Sequence, residues 1–310
     1  MPPKGRNQTV LEVLEVQRLA PRLVRVVAGG PGFAAYRDNE FTDKYVKLLF
    51  ADPGLGLTPP YDMEALREVL PPEKMPSRRT YTVRWVDHER QCLAIDFVTH
   101  GDQGLAGPWA ERARPGDQLV FSGPGGAYRP DPTADWHLLA GDDAALPAIA
   151  SALEALPADA VGHALVEVDS AADELELSAP AGVELVWLHR TGAAPGTTRL
   201  LVDAVRAVPW REGRVHVFAH GEREAMKALR DYLLGERGLD RSQVSLSAYW
   251  AFGRTEDRFQ AEKKEPIGQV LPPHRTRETA PVPPHRARAT ALSQCPHRPP
   301  AALLHKVVAV

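Results

Sequence analysis

The sequence predicts an antiparallel β-barrel followed by an α/β domain with a mostly parallel sheet, and then a loose tail. Three observations carry this. Up to about residue 130, short β segments are separated by Gly, Pro and Asp punctuation, with hardly any helical period. From Trp136 onward, apolar strands alternate with amphipathic helices, the pattern of a sheet covered on both faces. Beyond Glu265 neither period survives. The length of 310 residues suits two domains better than one.

In the first part, residues 1–131, the strand segments are Thr9–Glu15, Arg22–Ala28, Tyr45–Ala51, Thr80–Val86, Cys92–Thr99 and Gln118–Ser122. The runs GGPGF, ADPGLGLTPP and ARPGD supply turns between them. After Gly107 the run PWAERA predicts a short helix, with Pro108 at a favourable first position. In the second part, residues 132–265, WHLLAG, GHALVEV, VELVWLH, RVHVFAHG and QVSLSAYW read as strands. DAALPAIASALEAL, TRLLVDAVRAV and REAMKALRDYLLGERG read as helices. The third part, residues 266–310, is rich in proline and carries six Lys or Arg against one acid, Glu278. Such a segment cannot bury enough apolar surface to offset its ordering entropy, so disorder is expected.

Composition narrows the function. With 44% hydrophobic and 25% charged residues the chain has enough apolar content for sizeable cores. No run approaches the roughly 18–20 apolar residues of a membrane span. The start lacks the apolar core of a secretory signal, so a cytoplasmic location is expected. A net charge of −3 disfavours a nucleic-acid binder. Cys92 and Cys295 cannot build a disulfide framework or a cysteine-ligated cluster. His274, His285, His297 and His305 match no metal-ligand spacing, so no metal site is expected.

Several residues are suited to holding a cofactor. Arg79 and Tyr81 alternate onto one strand face, about 7 Å apart. An arginine fork suits a pyrophosphate, and a tyrosine ring can stack on a flat heterocycle. Thr82 adds a hydroxyl and, with Val83, backbone groups within the same strand. An ordinary amphipathic edge strand has the same composition. His100 and Gly101 end the next strand, and Gly107, Pro108, Trp109 and Ala110 open the short helix, where glycines let backbone N–H groups approach a phosphate. Turn packing for His100 and core packing for Trp109 are the plainer alternatives. In the α/β part, two strand ends pass into helices through Gly141 and Gly221, the place where open parallel sheets bind ligands. Capping and turn chemistry is the plainer account of either turn taken alone.

Four motifs in order carry more than any one of them. They are Arg79-Thr80-Tyr81-Thr82-Val83-Arg84, Asp96–Gly101 with the Gly107–Ala110 helix start, Gly141–Ile149, and Tyr249–Asp257. In this order they resemble the siderophore-interacting, FAD-binding ferric reductase family of the ferredoxin-reductase-like superfamily, from about Val10 to Glu265. The resemblance implies an FAD-binding barrel followed by a Rossmann-like domain. It implies that Arg79 binds the FAD pyrophosphate, Tyr81 stacks on the flavin, and Thr82 bonds near its N5. His100, Gly101 and the Gly107–Ala110 turn would hold the ribityl and pyrophosphate region, and Tyr249, Trp250 and Gly253 would close over the flavin. Gly141, Asp142, Ala145, Leu146, His220, Gly221 and Glu222 would face a nicotinamide donor, NAD(P)H, with reduced ferredoxin as the other possible donor. The substrate would be a ferric siderophore, released as Fe(II), with no side chain acting as acid, base or nucleophile.

Two positions depart from the basic residues of some relatives, Gly125 and Ala251, and leave Lys44, Lys47 and Arg254 as the candidate substrate-side bases. The competing functions are an NAD(P)H:flavin-type oxidoreductase with another acceptor and a non-catalytic siderophore- or flavin-binding module.

Overall fold

A computed structural model of the chain describes residues 8–102 and 104–271. Strands β1 (Gln8–Ala20), β2 (Leu23–Gly29), β3 (Tyr45–Phe50), β4 (Ser77–Asp87), β5 (Cys92–Val98) and β6 (Gln118–Gly125) close into a barrel of order β1-β2-β5-β4-β3-β6. All neighbouring pairs are antiparallel. Strand alternation explains its interior, because every second residue faces inward. Leu11, Val13, Val26, Val46, Leu48, Ile95 and Phe121 fill it.

Two short helices lie in the barrel connections. Helix α1 (Met63–Val69) was not signalled by any apolar period; Asp62 caps it by accepting from the N–H groups of Glu64 and Ala65. Helix α2 (Ala106–Arg112) begins before the expected site, so Gly107 and Pro108 lie in its first turn. The helix start packs closely on β5: a Cβ at position 107 would stand 3.1 Å from the Val98 carbonyl oxygen.

The second sheet is parallel throughout, in the order β11-β10-β7-β8-β9. Its strands are β7 (Trp136–Asp142), β8 (Val161–Val168), β9 (Gly182–His189), β10 (Val215–Glu222) and β11 (Val244–Trp250). Helix α3 (Leu146–Ala155) shares a core with Leu139, Ala164, Val166 and Phe218. Helices α4 (Leu200–Ala207) and α5 (Arg223–Arg230) share another with Leu138, Ala140 and Val217. The run expected to be one helix through residue 238 changes after α5 into a π-helix, Asp231–Glu236. That wider turn lets the adjacent Tyr232 and Leu233 both bury.

Barrel and sheet meet along α3 and β4. Ser151 Oγ donates to the Arg84 carbonyl at 2.7 Å, and Arg84 pairs with Glu154. Barrel residues Ala20, Leu23 and Tyr128 join the core under α3.

Two features correct the reading of the C-terminal region. A helix α6 (Glu256–Glu262), capped by Thr255, follows β11. Glu265 is not the end of the packed body: Pro266–Gly268 forms a 3-10 turn and Val270 is 7% exposed, in the same core as α5. The Val270 carbonyl accepts from Arg230 Nη1 at 2.9 Å. Val270 enters the sheet core with Leu271 packed against it, and the bond to Arg230 holds the backbone there. The remainder of the expected disordered tail, including Cys295 and the four histidines, lies outside the described residues. A chain ending at Glu265 should therefore be less stable than one ending at Leu271, by about 1.5–3 kcal/mol for the lost burial of one valine. Urea melts of the two truncations check this, and equal midpoints would show that Val270 contributes nothing. Among the described residues, no helix is long and apolar enough to cross a membrane.

Candidate functional site

The site is built on β4. Its register places Arg79 opposite Leu48 and Tyr81 opposite Val46, both barrel-core residues, while Thr82 lies opposite Tyr45 on the other face. Arg79 and Tyr81 therefore do share a face, as alternation requires. The Tyr81 ring lies 4.6 Å from Phe97, which in turn lies 5.7 Å from Trp109. Burial pushes the Tyr81 phenol above its ordinary pKa; Glu256 adds to the rise and Arg79 opposes it. The ring thus stays neutral at working pH.

Arg79 uses its fork. Nη1 and Nη2 donate to the two carboxylate oxygens of Asp257 at 3.1 and 3.4 Å, and Nη1 also donates to the Arg78 carbonyl at 2.6 Å. The arginine side chain is 19% exposed and the aspartate 71%, so a largely buried fork is met by a carboxylate from the solvent side. Asp257 stands in the first turn of α6, an element that sequence periodicity did not reveal.

Thr82 is buried beside Tyr249, at the end of β11. Burial, reinforced by Asp43, pushes the Tyr249 phenol well above its ordinary pKa. The segment after it is held by two carboxylates at the ends of other strands. Trp250 Nε1 donates to Asp142 Oδ2 at 2.8 Å, and the Phe252 N–H donates to Glu222 Oε1 at 3.1 Å. Gly253 then takes a left-handed φ of 69° and turns the chain toward α6. The structure thus brings Arg79, Tyr81, Thr82, Tyr249 and Trp250 to one region where the sheet's last strand meets the barrel.

Val83 is fixed by its N–H, which donates to the Lys44 carbonyl at 2.8 Å. His100 and Gly101 lie exposed beyond β5, with Gly101 at a φ of 64°. Pro108 and Ala110 are buried, and Trp109 packs half-buried at 5.5 Å from Phe50. The plainer expectation for Trp109, core packing, describes its contacts.

The turns expected to face a donor lie together at the carboxyl ends of β7 and β10, but their side chains pack on one another. Gly141, Asp142, Ala145, Leu146, His220, Gly221 and Glu222 are all buried. Asp142 accepts from Trp250 Nε1, from the Glu222 N–H at 2.9 Å and from the Ala144 N–H at 3.1 Å. Burial, with Asp143 beside it, pushes its carboxyl up to about 7, against the pull of the Trp250 bond. Glu222 caps α5 by accepting from the N–H groups of Glu224 and Ala225. Burial drives the His220 imidazole down to about 3, so it is neutral; its Nε2 meets Ser245 Oγ at 3.0 Å.

Sequence reading missed Arg190, which directly follows β9. Its side chain is fully buried, 2.8 Å from Asp143 Oδ2 and 3.5 Å from Glu167 Oε1. A charged residue closing the apolar run VELVWLH was the available signal.

Two of the three expected substrate-side bases are already engaged. Lys44 Nζ donates to Asp38 Oδ1 and to the Asn39 carbonyl, both at 2.8 Å. Arg254 Nε donates at 2.8 Å to Glu262, a buried carboxylate also gripped by Arg223 and Arg258. These three donors hold Glu262 down to about 2. Lys47 alone is exposed on β3 with no carboxylate partner among the described residues.

Comparison with known proteins agrees with this architecture. The family model described as Siderophore-interacting FAD-binding domain matches residues 12–128, and that described as Siderophore-interacting protein matches residues 134–253. An uncharacterized protein of Mycobacterium tuberculosis is 47% identical, covering 84% of this chain and 96% of the relative. The ferric vibriobactin reductase ViuB of Vibrio cholerae is 32% identical, covering 82% and 93%. The NADPH-dependent ferric-chelate reductase of Escherichia coli is also 32% identical, covering 77% and 91%. Among solved structures, a siderophore utilization protein from T. fusca superposes with a TM-score of 0.70 at 42% identity, covering 80% and 94%.

Proposed function

The chain belongs to the siderophore-interacting protein family, and from that premise we propose that it is an FAD-dependent reductase of ferric siderophores. The observation that carries the proposal is the Arg79 fork, held beside Tyr81 and Thr82 and already filled by a pair of carboxylate oxygens. That donor set is what a diphosphate requires, so the residues fit FAD. Arg79 would take the diphosphate, and Tyr81 and Thr82 would meet the ring system. His100, Gly101 and the first turn of α2 would take the linking region. Tyr249, Trp250 and Gly253 would exclude water from the α/β side.

When bound, the flavin supplies a store of two electrons that it passes on singly. The protein's own part is then placement. Electron transfer to a chelated Fe(III) needs close approach and no proton relay, which suits a region where Tyr81 and Tyr249 are neutral and His220 is not charged.

The E. coli relative, named NADPH-dependent, supports NAD(P)H as the donor. Asp143 and Glu167 pair with Arg190, and Asp142 and Glu222 bring two further carboxyl groups to the same strand ends, which opposes a diphosphate there. The part of a reduced nicotinamide donor that suits those turns is its uncharged ring. A reductase supplied in this way would work in the cytoplasm.

The purified protein is expected to be yellow and to release FAD, not FMN, on denaturation. A colourless protein that binds no added FAD would remove the proposal.

A further inference from the structure

Trp250, directly after Tyr249 on β11, is clamped at both ends of its indole. Nε1 donates to Asp142 Oδ2 at 2.8 Å. At the far edge of the ring, a Cβ on Gly196 would stand 2.9 Å from Cη2. Gly196 takes a left-handed φ of 75°, so the connection between β9 and α4 closes on the indole with bare backbone. A Cβ there would also stand 2.9 Å from Glu222 Cγ, and Glu222 in turn accepts from the Phe252 N–H at 3.1 Å.

The Asp142 carboxylate is turned into the protein. The residue is 5% exposed. Oδ2 accepts from Trp250 Nε1 and from the Glu222 N–H, and Oδ1 accepts from the Ala144 N–H. Gly221 makes room for it, because a Cβ at that position would stand 2.7 Å from Oδ2. One carboxylate therefore joins the turn into α3, the end of β10 and the end of β11.

Resting on the FAD-dependent reading above, we propose that Asp142 is a positioning residue: it fixes the Trp250 indole as the α/β-side cover of the flavin and ties that cover to the turns at the ends of β7 and β10. An ionised carboxylate only accepts, so it can serve all three donors at once. Protonation puts a hydrogen on one oxygen, against a donor already there. Ala144 and Glu222 donate from fixed backbone, so the indole is the partner that leaves. Around the carboxylate stand Asp143 in its own turn, Glu167 of β8, Glu222 of β10, Tyr249 of β11 and Arg190 after β9, while His100 faces Asp143 from the barrel. Burial, then Asp143, brings the Asp142 carboxyl up to about 7, so the cover should loosen as pH falls through neutrality.

The test follows FAD release from the FAD-loaded full chain on dilution, by flavin fluorescence, well below and well above neutral pH. Wild type is compared with Asp142→Ala, Trp250→Phe and the double variant. Trp250→Phe keeps a ring and the carboxylate's two backbone donors, so it tests the bond even where Asp142→Ala folds poorly. Wild type should release FAD about tenfold faster at the acid pH, the effect of losing one charge-assisted hydrogen bond. Each single variant should release at that fast rate at both pH values, and the double variant no faster than either, because the two side chains act through one bond. Slow, wild-type release from Trp250→Phe, a pH step that persists in it, or single effects that multiply in the double variant would each overturn the inference alone. A wild type that binds no FAD would overturn the FAD reading and the inference together.

Discussion

Replacing Arg79 by Ala is expected to weaken FAD binding by about 1.5–3 kcal/mol, the range for hydrogen bonds to a charged group. The loss falls on the bound state. In the free protein the arginine's partner, Asp257, is 71% exposed and can return to water without penalty. Arg79→Lys keeps the charge without the planar fork and should fall between the two. Asp257→Asn removes a carboxylate that competes for the same fork and should not weaken binding at all. Fluorescence titration of the FAD-free proteins measures each case. An Arg79→Ala variant with wild-type affinity would show that the diphosphate lies elsewhere.

The largest stability effect is expected from Arg190→Leu. This change removes the cation that pairs with Asp143 and Glu167 while leaving both carboxylates in place. Breaking a buried ion pair from one side costs about 3–5 kcal/mol, which is roughly 6–20 °C in melting temperature for a domain of this size. The deficit should depend on pH, and the sign follows from the direction of the carboxyl shifts. Asp142 is already pushed up to about 7, and Arg190 favours its charged form, so losing Arg190 pushes it further up. A carboxyl whose folded pKa is raised contributes stability that is present below its unfolded value of about 4 and is lost as pH rises through the folded value. The variant should therefore trail the wild type less at pH 5 than at pH 8. Equal deficits in urea melts at the two values would show that the carboxylates do not sense Arg190.

The barrel and the parallel sheet were legible because both are written in local periods. Alternation from Thr80 to Val86 placed Arg79 and Tyr81 on one face, and the alternating run of strands and helices after Trp136 gave the sheet its direction. What stayed hidden depends on partners far apart in the chain. Asp257 lies 178 residues from Arg79, on a helix of seven residues with Phe259 as its one large apolar side chain. Asp142 was legible as the residue of a strand-to-helix turn, but its work as a strut rests on Trp250, 108 residues on. Lys44 and Arg254 read as free bases until Asp38 and Glu262 are seen against them. Val270 looks like part of a polar tail and is instead drawn into the sheet core. In each case a single side chain found a tertiary partner that no sequence period announces.

Electron transfer from bound flavin to chelated iron can be watched by anaerobic stopped-flow absorbance. The FAD-loaded protein is reduced with NADH or NADPH, freed of excess donor, and mixed with a ferric tris-hydroxamate in the presence of a ferrous-ion trap. The oxidised flavin spectrum should return together with about two Fe(II) trapped per flavin, since the flavin stores two electrons. Flavin that stays reduced in the presence of every ferric chelate offered, with no Fe(II) trapped, would contradict it.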